Sequence, residues 1–253
     1  MRPIPADPVW LSEWLEREQP GPDTIMGHVL ATGHGRCWVD DAARPRAVLA
    51  ETAGNFLLSG DPDVVDPATL RPLITGLVAA PPRFVPLLHA TFSQVTRWER
   101  VLYVAPQRPL ASAPVPQHGP VRRLTSADTG AVRAVHPNIA WIAKTWGGPA
   151  GLAASGHGWG AFRERDLVAV ACTFFVGARY HELGVATDPE HRGRGLATTC
   201  AWHAMWHAVS VGRIASWSTS PDNRASRRVA EKLGFALLRH DALYAIGIPV
   251  PQP

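Results

Sequence analysis

The stretch His181–Val209, HELGVATDPEHRGRGLATTCAWHAMWHAV, limits what this chain can fold into more than any other. Glu182 to Thr187 is short, mostly apolar and carries the β-branched Val185, as a strand requires. Asp188-Pro189 ends it, because proline cannot extend a sheet ladder. Arg192-Gly193-Arg194-Gly195-Leu196-Ala197 then leads into a long helical run of Ala, Trp, Met and Val. Glycines at a strand-to-helix junction let the backbone approach a ligand closely. The helix start adds unpaired N–H groups and the positive end of the peptide dipoles, which together bind phosphate. Arg192 and Arg194 add guanidinium donors suited to phosphate oxygens. Two ligand classes fit. A dinucleotide asks for G-x-G-x-x-G at this point, and the third glycine is absent, since Leu196, Ala197 and Thr198 follow Gly195. Coenzyme A is the alternative, with its pyrophosphate on the same amides.

Composition narrows the setting. A chain of 253 residues, 46% of them hydrophobic, can build one large domain or two small ones. The net charge of +4 is mildly basic, and Lys144 and Lys232 are the only lysines. No Lys/Arg block marks a nucleic-acid partner. Cys37, Cys172 and Cys200 are odd in number and widely spaced, giving neither a disulfide framework nor a zinc spacing. MRPIPADPVWLSEW has no apolar core of signal-peptide length, and no apolar run reaches the roughly 18 residues of a membrane span. The expectation is a reduced, soluble, cytoplasmic protein without a membrane partner.

Along the chain, Asp7-Pro8 looks like a helix start, with Trp10, Leu11, Trp14 and Leu15 on one face. A second helix is expected over 23–31, then strands at 36–39, 46–51 and 55–59. Asp66-Pro67 repeats the cap-plus-proline start, and Leu70, Leu73, Ile74 and Leu77 form a helical stripe. A strand at 98–104 closes the first half. The Pro/Ala/Gln-rich segment 106–120 reads as a linker between an N-terminal α+β domain, 1–105, and a second domain, 121–253. The second domain opens with a strand at 121–124. Thr125-Ser126-Ala127-Asp128 resembles a capping box. Helical segments follow to Ala154, then a hairpin of 159–162 and 167–176, the His181–Val209 stretch, a strand at 214–218 and a helix at 223–233 stopped by Gly234. Two strands, 235–238 and 244–248, finish it.

Arg192-x-x-Gly195-x-Ala197 matches the [RQ]-x-x-G-x-[GA] signature of the GCN5-related N-acetyltransferases, the GNAT superfamily. Asn223-Arg224-Ala225-Ser226 and Glu231-Lys232-Leu233-Gly234-Phe235 resemble that superfamily's second CoA-contacting helix and the strand after it. The element order of the last 135 or so residues is similar to the GNAT fold. The whole chain most resembles the two-part family that includes zwittermicin A resistance proteins. This implies an α+β fold with a mixed, mostly antiparallel central sheet flanked by helices. The strands of 46–78 faintly echo the second half, so the smaller N-terminal domain reads as a degenerate GNAT-like half, without the Arg-x-x-Gly-x-Ala pattern at Gly60.

The resemblance also implies roles. Val185, Ala186 and Thr187 would line the pantetheine slot, with the amide near Val185 holding the oxyanion; plain strand packing is the competing reading. Arg192, Gly193, Arg194, Gly195, Leu196, Ala197 and Thr198 would cradle the pyrophosphate, against a turn with solvated arginines. Asn223 would bond the pantetheine arm and can cap its helix as well, with Ser226 one turn on. Glu182 is the candidate general base, since an alkyl ammonium must lose a proton before it attacks; a surface Glu paired with an Arg competes. Alternation sends His181 to the opposite face. Many relatives carry a tyrosine where this chain has Ala230, so the proton for the departing thiolate falls to Ser226, Tyr244 or water. Trp141, Lys144 and Trp146 lie where the fold covers the acceptor, or are buried aromatics. His203 and His207 stand four apart, but no Glu follows as in H-E-x-x-H, and packing is preferred to a metal. The sequence thus points to an acetyl-CoA-dependent N-acetyltransferase acting directly on a primary amine of a small molecule, an antibiotic or a metabolite, with no metal; a homodimer is compatible. A non-catalytic CoA-binding module and a protein N-acetyltransferase are the alternatives.

Overall fold

The computed structural model describes residues 1–4, 14–15, 18–106 and 120–252. The strands are β1 (Arg2–Ile4), β2 (Arg36–Val39), β3 (Ala47–Thr52), β4 (Asn55–Gly60), β5 (Gly76–Ala79), β6 (Val95–Val104), β7 (Val121–Arg123), β8 (Gly158–Arg163), β9 (Asp166–Val176), β10 (Tyr180–Thr187), β11 (Ile214–Thr219) and β12 (Ala236–Ile246). They form one twelve-stranded sheet in the order β1-β2-β3-β4-β5-β12-β6-β11-β10-β9-β8-β7. The described helices are α1 (Thr24–Thr32), α2 (Pro67–Leu70), α3 (Val85–Thr91), α4 (Thr129–Arg133), α5 (Pro149–Ala154), α6 (Leu196–Ser210) and α7 (Arg224–Lys232).

Read from its two ends, the sheet is the same pattern twice. β1 to β5 run inward from one edge and β7 to β11 from the other. β4–β5 and β10–β11 are parallel pairs at equivalent places, and the other pairs are antiparallel. The sixth strand of each half is exchanged: β12 lies against β5, and β6 lies against β11. β6 and β12 then pair with each other from Val95↔Ile246 to Val104↔Ala236. The halves differ at the crossovers. Between β10 and β11 stands the long α6, whereas between β4 and β5 the chain has only a short 3-10 turn and the single turn of α2.

Four apolar clusters fix these layers. α6 and α7 bury Cys200, Ala204, Met205 and Ala230 against Leu183, Ala215 and Trp217 on one face of the second half. On the other face, Val132, Ile142 and Leu152 pack on Val170, Cys172 and Ala186. Leu70, Phe84 and Leu88 pack on Leu49, Leu58 and Tyr244 in the first half. Ile25, Met26 and Val29 of α1 pack on Val48, Ala50 and Leu57, and also on Phe175 of β9, so α1 bridges the halves. Glu18 strengthens that junction. Its buried carboxylate accepts from the N–H groups of Ala178 (2.9 Å), Arg179 (2.9 Å) and Tyr180 (3.0 Å), charge-assisted bonds that clamp the β9–β10 turn.

Several local readings hold. The capping box forms: the Asp128 carboxylate accepts from the Thr125 N–H at 2.8 Å, and Arg122 meets both of its oxygens. Others are corrected. The helical stripe from Leu70 to Leu77 stops after one turn, because Leu77 and Val78 pair with Asn55 and Phe56 in the sheet. Gly76 sits there at φ 150°, where a Cβ would collide with the Gly54 carbonyl oxygen. Residues 137–146 are a 3-10 helix, and α3 had no expectation in the sequence. The two strands expected at 235–238 and 244–248 are one strand, β12, bulged between Leu237 and Arg239. Asp7 to Leu11 and positions 107–119 of the linker lie outside the described residues.

Because each half completes its sheet with the other's last strand, the two should unfold together. Urea denaturation followed by tryptophan fluorescence, which samples Trp38 in the first half and Trp159 and Trp217 in the second, should show one transition coincident with far-UV dichroism. Two separated transitions would show that the exchange does not couple the halves.

Candidate active site

The parallel pair β10–β11 is joined only at Tyr180↔Ile214, His181↔Ala215 and Glu182↔Ser216. Beyond that point β10 stays with β9, from Leu183↔Thr173 to Thr187↔Ala169, while β11 turns to β6, from Ser216↔Val104 to Thr219↔Val101. The two strands open into a V with Glu182 and Ser216 at its apex. Ile214 N–H donates to the Arg179 carbonyl across the pair. Strand alternation then turns the peptide groups of Leu183 and Val185 into the opening. Ala186 packs on the opposite face from Val185, and the buried Thr187 Oγ1 has no hydrogen-bond partner.

Past the open end of β10 comes the glycine loop. Gly193 and Gly195 both take φ 78°, and a Cβ on either would meet nothing within 4 Å. Both the left-handed backbone and the clear space favour glycine here. Gly195 is the N-cap of α6 and brings no capping side chain, so the first-turn N–H groups of Leu196, Ala197 and Thr198 face outward uncapped. Arg194 folds back on the loop, reaching the Glu190 carbonyl at 3.2 Å and His191 Nδ1 at 3.3 Å, while Arg192 is exposed. On the neighbouring α7, the Asn223 side chain accepts from the Ser226 N–H at 3.0 Å, which realises the cap. Ser226 Oγ accepts from the Trp217 indole at 2.9 Å. Ala230 is fully buried beneath it. Tyr244 lies away from this opening, in the core of the first half with Phe84 and Leu88.

Glu182 is 3% exposed. Ser216 Oγ accepts from the Gly21 N–H at 3.3 Å and so directs its own proton to Glu182 Oε2 at 2.5 Å. Burial pushes the carboxyl of Glu182 up, and hydrogen bonds from Ser216 and Ser218 and the charge of Arg100 hold the rise back. Arg100 comes from β6. One of its terminal nitrogens donates to Ser218 Oγ at 3.2 Å, its guanidinium lies 4.2 Å from the centre of the Trp98 ring, and burial pushes it down to about 10. Opposite Arg100 in register stands Asp241 of β12, which Arg239 holds at 3.1 Å. Asp23, next to Arg239, is pushed up to about 6 by burial. A row of polar groups thus crosses four strands on one face of the sheet. Sequence reading found Glu182 and missed Arg100, Ser216, Ser218 and Asp23. The available signal was Ser216 and Ser218 at alternate positions of an apolar strand, and one arginine entering Val101-Leu102-Tyr103-Val104.

The three residues expected around the acceptor divide. Trp141 and Lys144 are exposed, with the Trp141 ring edge-on to Phe174 at 5.3 Å. Phe174 and Ile142 cover Gly184, one turn of alternation from Glu182. Trp146 is instead buried: its indole donates to the Thr173 carbonyl at 2.9 Å and its ring stacks on His157 at 5.0 Å. It belongs to a histidine cluster on the far side of β10. His157, His181 and His207 have ring centres 4.9 to 6.3 Å apart. They border two adjoining clefts of about 540 and 400 Å³ beneath α1, neither of which reaches Glu182 or the glycine loop. His203 packs on Trp202, apart from His207. No group of His, Cys, Asp and Glu among the described residues is arranged to hold a metal ion. No described helix is long and apolar enough to cross a membrane.

Burial pushes His28 and His157 down to about 4 and His181 to about 3. Their unfolded values lie near 6.5. The stability they depend on is complete above pH 6.5 and is lost as the unfolded state takes up protons below it. The urea midpoint should therefore fall between pH 6.5 and 5, with a shallower slope in His181→Gln; equal slopes would refute the assignment.

A profile of the GNAT acetyltransferase family matches residues 17–244. An N-acetyltransferase encoded in the mutA 5′ region of Streptomyces virginiae is 44% identical over 199 residues, covering 78% of this chain and 81% of that protein. Among solved structures, a GCN5-related N-acetyltransferase-like protein from Streptococcus suis superposes with a TM-score of 0.68 at 18% identity, over 93% of this chain and 99% of that one. A tandem GNAT protein from the clavulanic acid biosynthesis pathway does so with 0.60 at 14% identity, over 99% of both chains. These structural likenesses concern the fold.

Proposed function

The chain belongs to the GNAT acetyltransferase family and is an acyltransferase, and from that premise we propose that it moves an acetyl group from acetyl-CoA directly to a primary amine of a small molecule. The observation that carries this reading is the V between β10 and β11, with a buried carboxylate at its apex and an uncapped helix start at its open end. The residues fit coenzyme A: the space in front of Gly193 and Gly195, the free first turn of α6 and the partnerless Thr187 Oγ1 are the features such a ligand would use. Bound acetyl-CoA would supply an activated acyl thioester.

The chain's own residues account for the rest. The amides of Gly193, Gly195, Leu196, Ala197 and Thr198, with Arg192, would hold the pyrophosphate. The inward peptide groups of Leu183 and Val185, with Ala186 and Thr187 beside them, would hold the pantetheine arm, and the Val185 N–H would face the thioester oxygen. Asn223 and Ser226 stand on the α7 side. Glu182 would take the proton from the incoming ammonium, which near pKa 10 is otherwise fully charged at neutral pH. Its raised proton affinity suits a base working near pH 7. With Ala230 in place of a tyrosine, the thiolate would leave without a tyrosine acid; a thiol near pKa 8.5 permits that.

A small acceptor is supported by the first half, which closes one side of the apex through Gly21 on Ser216 and Pro20 on Arg239. Trp141, Lys144 and Phe174 border the other side. In this reading residues 1–105 and 121–253 are two units joined through 106–120, the first shaping the acceptor site of the second.

Two measurements test the proposal. Gly195→Glu places a carboxylate where the pyrophosphate would lie, and calorimetry should show CoA affinity reduced by about 100-fold or more; unchanged binding would remove the central assignment. Glu182→Gln keeps the side chain's shape and should lower kcat/KM at pH 7 by about 100-fold, with the acidic limb of the pH profile lost. A variant that retained full rate and profile would end the base role.

A further inference from the structure

Arg100 belongs to the first half by sequence and reaches the apex only because β6 is exchanged into the second half. Its guanidinium is held on three sides. Trp98 covers one face, Ser218 Oγ accepts from a terminal nitrogen, and Nε is buried without any partner. An arginine buried with an unused donor is costly, which calls for a reason beyond joining strands. Ser218 supplies one: its hydroxyl takes the bond from Arg100 and also hydrogen-bonds Glu182.

We infer that Arg100 is a positioning residue for acyl transfer, keeping the Glu182 carboxylate ionised and oriented through its charge and through Ser218. This rests on the reading of Glu182 as the base. The surrounding groups leave Arg100 as the cation that serves Glu182. On β10 the neighbouring His181 points to the opposite face and is uncharged at neutral pH. On β9 the residue opposite Glu182 is Phe175. On β11 the facing groups are Ser216 and Ser218. On β12 Asp241 faces Arg100 and is already held by Arg239. From the segment before α1, Glu18 is committed to three backbone N–H groups, and Asp23 stands beside Arg239. His28 of α1 is neutral, accepting from the Val176 N–H at Nδ1 and donating from Nε2 to the Thr145 carbonyl. The first half, which has no anion loop of its own, would thus take part in the chemistry of the second.

The test is the titration of Glu182 itself, followed by carbon NMR of the full-length protein labelled at glutamate carboxyls, with the resonance assigned by its loss in Glu182→Gln. Arg100→Met should move the midpoint upward by about one pH unit or more, as removal of an adjacent opposite charge does. Arg100→Lys should restore most of the difference. Ser218→Ala, which changes no charge and little volume, should give a smaller upward shift and serves if Arg100→Met does not fold. Midpoints unchanged in the variants would overturn the inference, whatever their activities. The acidic limb of kcat/KM should move with the midpoint. A midpoint that moves while the limb stays would uphold the hold of Arg100 on Glu182 and remove the base role instead.

Discussion

The exchange of β6 and β12 is the constraint on which the rest of the structure depends. A five-strand half leaves an open edge of unpaired N–H and C=O groups beside β5 or β11, and each half closes that edge with the other's last strand. The pairing of β6 with β12 along both full strands then makes a single sheet. The two halves need no large apolar contact elsewhere to stay together, although α1 on Phe175 and Glu18 on the β9–β10 turn supply further contacts.

The same exchange equips the opening between β10 and β11. β11 can leave β10 after Ser216 because β6 is present to receive its hydrogen bonds from Ser216 onward. The strand that accepts β11 also carries Arg100 and Trp98 to the polar row behind Glu182. A buried row of this kind is destabilising unless each member finds a partner. Here Ser216, Ser218, Asp241 and Arg239 supply most of those partners, and the Arg100 Nε that lacks one lies one residue from the reacting centre. Local cost concentrated beside a cleft is what a site built for proton transfer would show.

The two crossovers explain why only one half carries a phosphate loop. Both place a glycine at the end of the fourth strand, Gly60 in one and the Gly193–Gly195 loop in the other. Only the second continues into a fifteen-residue helix whose dipole and free amides face the loop. In the first, the chain needs Leu77 and Val78 as a strand, and α2 is left as one turn.

Much of this was legible in the chain itself. The strand, the glycine loop and α6 follow from Asp188-Pro189, Gly193 and Gly195, because proline and glycine act on the backbone locally. The capping box at Thr125 and the Asn223 cap are equally local, and each forms as read. What failed to show was whatever depends on a distant partner. Leu77 fits a helical stripe until β4 and β12 claim it, and β12 looked like two strands because Arg239-His240-Asp241 is polar where the sheet turns a charged row outward. Arg100 carries no local mark of function; strand exchange brings it beside Glu182 from more than eighty positions away. Sequence determined where a phosphate could bind and which carboxylate stood next to it, since both are set by neighbouring residues. The tertiary structure decided what surrounds that carboxylate, because burial and charge depend on every strand that passes it.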